Sequence, residues 1–71
     1  MNIRTITAKY YQVKYLSDKE LKLFIKEANR TIQFLVDFDK PLFALQITHL
    51  RYVVNTMSGF LEERKRHREI A

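Results

Sequence analysis

Five side chains that are or can become cationic stand in a row in this chain, Arg64, Lys65, Arg66, His67 and Arg68, within the stretch "LEERKRHREIA". Consecutive cations can neutralise phosphates and release their counterions. They can also be the wet end of a helix. Glu62–Arg66 and Lys65–Glu69 are opposite charges four apart, and Glu62–Lys65 and Glu63–Arg66 are three apart; each such pair supports a helix by about 0.2–0.5 kcal/mol. From Leu61 onward Arg64, Lys65, Arg66 and Arg68 meet Glu62, Glu63 and Glu69, so the stretch nearly neutralises itself. The spacing therefore favours a solvated helix end over a phosphate grip. A second basic stretch lies at residues 1–15, where Arg4, Lys9 and Lys14 stand with no acid among Tyr10, Tyr11 and Tyr15. Cations interleaved with aromatics can stack bases and hold phosphates. Three tyrosines beside apolar residues can equally cap a small core with their hydroxyls in water. With Arg51 and the C-terminal Arg64, Arg66 and Arg68, these residues are the candidate contacts to a partner or to nucleic acid. The net charge of +5 permits either a nucleic acid or an acidic protein.

The remaining reactive side chains do not assemble into a catalytic pattern. His49 and His67 stand far apart in sequence, with no HExxH, paired-carboxylate or Cys/His spacing around them. Ser17 is accounted for by helix capping, and Ser58 has no base at a recognisable spacing. A single glycine cannot build a phosphate-cradling loop, and the absence of cysteine removes disulfides and thiolate zinc sites. The expectation is a protein that is not an enzyme and holds no metal and no cofactor.

The elements that would carry these residues follow from periodicity. One glycine and one proline in 71 residues are too few for the tight turns of an all-β fold. "LSDKEL" reads as a capping box, Ser17 with Glu20, flanked by the staple residues Leu16 and Leu21. From it Leu21, Phe24 or Ile25, Ala28, Ile32 and Leu35 form one apolar stripe, which predicts a helix A over 18–36. "DFDKP" stops that helix, with Asp39 expected to cap a second helix that carries Pro41 in its first turn. Helix B, predicted over 40–66, carries two stripes. Phe43, Ile47, Leu50, Val54, Met57 and Leu61 make a heptad seam. Leu42, Leu45, His49, Tyr52, Thr56 and Phe60 run beside it as the expected partner or dimer face. So wide an apolar arc must be covered on more than one side. In residues 1–15, Ile3, Ile6, Tyr10 and Val13 fit a helix, while the β-branched and aromatic density fits a strand. A lone strand has no ladder partner here unless it pairs across a dimer, so a helix is preferred. The expected fold class is all-α: a helical hairpin with the N-terminal segment packed on it, forming a single domain over 1–71.

"LSDKELKLFIKEA" resembles a stretch of the Hha/YmoA family of small nucleoid-associated modulators through Leu16, Ser17, Asp18, Glu20, Leu21, Leu23, Phe24 and Ala28. The resemblance spans roughly twenty residues and departs from that family after Ala28, where "NRT" replaces Asp-His-Arg. The order segment, helix, helix is also similar to a ribbon-helix-helix repressor with "QVKY" as its DNA-reading strand. The long helix A and the missing glycine-bearing turn depart from that pattern.

A cysteine-free chain of this size is near the lower limit for folding alone, and self-association or a partner is the usual support. No run of eighteen apolar residues predicts a membrane span, and "MNIRTITAKYYQVKY" lacks the apolar core of a secretory signal, so the expected compartment is the cytoplasm. These observations predict a small non-enzymatic regulator, an inhibitor or adaptor of bacterial or phage type. It would dock an apolar, aromatic helical face on a larger protein partner and form a homodimer through helix B. The alternative is a basic, dimeric nucleic-acid-binding regulator.

Overall fold

The computed structural model describes residues 2–70, and among these every element is helical. Helix α1 spans Ile3–Tyr11, α2 spans Asp18–Phe38 and α3 spans Ala44–Ile70; short 3-10 turns at Val13–Tyr15 and Pro41–Phe43 join them. The fold is the all-α hairpin with an N-terminal helix laid on it.

α1 starts where Asn2 can cap it: the Asn2 side chain accepts a hydrogen bond from the Thr5 backbone N–H at 2.9 Å. "QVKY" is therefore not a DNA-reading strand. Its residues close a 3-10 turn in which the Tyr15 N–H donates to the Gln12 carbonyl at 2.9 Å. With no strand among the described residues to accept a ladder, local hydrogen bonding decides in favour of helix and turn.

α2 opens with both halves of the capping box. Ser17 Oγ accepts from the Glu20 N–H at 3.1 Å, and Glu20 Oε1 accepts from the Ser17 N–H at 3.2 Å. It ends at Phe38, with Asp39 as its C-terminal cap and not as the cap of the following helix. The Asp39 φ of 50° and ψ of 43° are left-handed, and its N–H donates to the Val36 carbonyl at 3.0 Å. Short acidic and amide side chains tolerate that conformation better than others do. Lys40 is extended, as a residue before proline should be, and Pro41 then begins the 3-10 turn that leads into α3. The second long helix thus starts at Ala44, later than the expected residue 40, and runs through Gly59 to Ile70.

The core is built from all three helices. Ile6, Val13, Leu16, Leu21, Phe24, Ala28, Leu35, Leu50, Val53 and Met57 are buried, and no polar or charged side chain is buried among the described residues. On α3 the deepest line is Leu50, Val53 and Met57. Val53 falls between the two stripes read from the sequence. The reason is geometric: α3 packs against α2 on one flank and α1 on the other, so its deepest residues face the junction of the two helices. Ile47, Val54 and Leu61 pack half-buried beside that line. The result is a rod of 47 × 18 × 15 Å.

Candidate docking surface

α1 lies in the groove between α2 and α3 but does not fill it. Thr7 Oγ1 and His49 Nε2 share a hydrogen bond at 3.1 Å, and the Tyr10 and Tyr52 rings meet edge to face at 6.0 Å. The Tyr52 hydroxyl also pushes the Tyr10 phenol above its ordinary value. Against α2, Lys9 Nζ sits 6.0 Å from the Phe24 ring centroid, while Asn2 and Ile3 border Thr31 and Phe34. α1 therefore runs antiparallel to α2 and parallel to α3. Both of its α3 contacts join residues 42 positions apart, which puts the start of α1 level with Ala44 and Leu45.

This placement divides the second stripe of α3. His49, Thr56 and Phe60 are half-buried, whereas Tyr52, although edged by Tyr10, is 61% exposed. Leu42, past the start of α1, and Leu45, level with its first residue, remain 78% and 84% exposed. Two residues that periodicity did not single out join them around the hairpin turn: Phe34 is 61% exposed and Phe38 49%. The Phe34 and Phe38 rings are 5.0 Å apart, Phe38 meets Phe43 edge to face at 6.0 Å, and Lys40 Nζ lies 5.9 Å over Phe38. The signal was present in the sequence as two phenylalanines four apart, off the core stripe of α2. An open groove of about 650 Å³ between the start of α1 and α2, bordered by Ile3, Thr31, Phe34 and Leu35, continues this apolar end.

The candidate cations do not form one surface. Arg64 Nη1 donates to the Leu16 carbonyl at 2.7 Å and to Asp18 Oδ1 at 3.1 Å, and its Nη2 reaches the Lys14 carbonyl at 3.5 Å. Arg68 Nη2 donates to the other Asp18 oxygen. These two arginines tie the end of α3 to the 3-10 turn and the first residue of α2. The Arg64 guanidinium, aided by Arg68, holds the Asp18 carboxyl below its usual range, and the Ser17 N–H does the same for Glu20. Arg4 lies far from them, beside Glu27, Arg30 and Phe34. Twelve residues of α2 separate Arg30 from Asp18, or about 18 Å at 1.5 Å per residue. Lys14, Arg51 and Arg66 are exposed, as are Tyr11 at 78% and Tyr15 at 87%.

His49 and His67 both lie on α3 and are about 27 Å apart along it. Among the described residues no group of three or more His, Cys, Asp or Glu side chains could hold a metal ion. No described helix is long and apolar enough to cross a membrane. Comparison with protein-family models, curated proteins and solved structures finds no match. The class that the geometry defines is therefore one of architecture: a small helical hairpin with a short helix in its groove and one apolar end left open.

Proposed function

We propose that this protein is a non-enzymatic regulator of the cytoplasm, an inhibitor or adaptor that docks on another protein through the apolar end of its hairpin. One observation carries the reading: Phe34, Phe38, Leu42 and Leu45 stay open to solvent around one turn. Monomeric soluble proteins rarely leave such groups together without a binding role. Neither His49, engaged by Thr7, nor Asp18, engaged by two arginines, stands free for other chemistry. The test is retention of protein partners by the tagged wild-type chain and by Leu42→Glu,Leu45→Glu, with nuclease, at low and high salt. The reading expects a wild-type-specific protein that survives nuclease and salt and is absent with the double variant. Partners held equally by both chains would refute it.

A second reading is favoured by the opposite end of the rod. There Lys14 and the exposed Tyr11 and Tyr15 combine a cation with solvent-accessible aromatic rings, as binding to a single-stranded nucleic acid requires, although the Tyr11 ring also meets Tyr10 at 5.5 Å. In that case the retained material is nucleic acid. Its affinity falls steeply with salt, by about 0.7 log units per contacted phosphate for each tenfold rise on a single strand.

A further inference from the structure

Charge is distributed along the rod as unevenly as apolar surface is. Within residues 1–8 and 27–50, which make up the open end, Arg4, Arg30 and Lys40 balance Glu27, Asp37 and Asp39. The whole net charge of +5 therefore resides on residues 9–26 and 51–71. An acidic partner would gain nothing from this neutral end and would be drawn to the other one. A second copy of the chain faces the reverse situation. Two molecules of charge +5 repel least when their neutral ends meet and their cationic ends point apart. On a rod 47 Å long, that separation is several times the Debye length of about 8 Å at physiological salt.

Area points the same way. At their observed exposures Phe34, Phe38, Leu42 and Leu45 leave on the order of 500 Å² of apolar surface open per chain. That is the upper range of the largest patch on a typical monomer, here on a chain of 71 residues. Paired with itself it reaches about 1,000 Å², the lower bound for a specific interface. The groove beside Ile3 and Phe34 continues the patch, so the surface that opposes α1 within the chain extends into the surface left for a partner.

We infer that the open end is the contact for a second copy of this chain, joined by a two-fold axis near Leu42 and Leu45, with the cationic ends outermost. The inference rests on the reading of this end as a protein-docking surface and names its occupant. A target protein that docks there must displace the second copy.

Sedimentation of the full chain from about 1 to 200 µM tests this, beside Leu45→Glu and, as a control at the far end, Tyr15→Ser. The wild type and Tyr15→Ser are expected to dimerise. A two-fold contact loses both copies of Leu45 at once, so the dissociation constant of Leu45→Glu should rise at least about 100-fold. Circular dichroism should show its helix content unchanged. The chain has no cysteine, so Leu45→Cys and Tyr15→Cys each accept a single spin label. In the dimer the two labels at position 45 should be closer together than the two at position 15. That ordering decides the matter even if Leu45→Glu fails to fold. A wild type that sediments as a monomer at 200 µM overturns the inference. So does a Leu45→Glu chain that still dimerises, or labels closer at position 15 than at 45. A monomer whose tip variants still lose a protein target refutes only the second copy. A dimer whose tip variants lose no target refutes only the regulatory reading.

Discussion

Arg64→Ala separates the fold-holding cations of the C-terminal run from the solvated ones. Arg64 is about a quarter exposed, and one guanidinium serves three acceptors: the Leu16 and Lys14 carbonyls and Asp18. Removing it leaves the Leu16 carbonyl without its α3 donor and Asp18 with Arg68 alone. A hydrogen bond to a charged group contributes about 1.5–3 kcal/mol when well shielded and less when water can replace the donor. The expected loss is therefore about 1–3 kcal/mol, or a fall in Tm of about 4–24 °C for a domain of this size. Arg66→Ala, two positions away and exposed, should change stability by no more than about 0.5 kcal/mol. Arg64→Lys should recover less than half of the loss, because a single ammonium cannot reproduce the planar fork that spans carbonyl and carboxylate. The assay is urea denaturation followed by circular dichroism, at one fixed protein concentration so that self-association contributes equally. Equal effects of Arg64→Ala and Arg66→Ala, or full recovery by Arg64→Lys, would refute the clasp.

Further expectations follow from the same geometry. Leu50→Ala should cost about 2–5 kcal/mol in urea denaturation, because Leu50 is fully buried, whereas Leu42→Ala should cost less than about 0.5 kcal/mol at a concentration where the chain is monomeric. Gly59 lies inside α3, and a Cβ there would meet nothing within 4 Å, so Gly59→Ala should raise stability by about 0.5–1 kcal/mol; a loss would show the helix to be broken at that point. Stability should also fall in acid. Asp18 and Glu20 have folded pKa values below their unfolded ones, so the unfolded chain takes up protons first. Their contribution is present above the unfolded carboxylate range of roughly pH 4 and disappears as pH drops through the lower folded values. The urea midpoint should decline between about pH 5 and pH 3, and Asp18→Asn,Glu20→Gln should flatten that decline.

The helices were legible where a signal is local. Ser17 and Glu20 form their capping box from residues three apart, and nothing distant competes with it. The apolar stripe of α2 was legible for the same reason. Asp39 was harder, because a short acidic side chain serves either as the cap that begins a helix or as the left-handed residue that ends one. Its φ of 50° follows from how α2 finishes and not from the proline two residues later. Val53 was hidden by the wide arc on α3: with two apolar stripes, periodicity cannot say which line between them faces the junction of two other helices. Tertiary contact decided the cationic run as well. From spacing alone Arg66 has acids three and four residues before it and Arg64 has none, so Arg64 reads as the more solvated of the two. Yet it is Arg64 that reaches a chain segment 46 residues earlier, at Asp18. The open end required one more fact, the length of α1. Ile3 is level with Leu45, so α1 runs out before the end of the groove; His49, Thr56 and Phe60 of the second stripe pack within the chain, while Leu42 and Leu45 stay open, as does Tyr52 despite the Tyr10 ring at its edge.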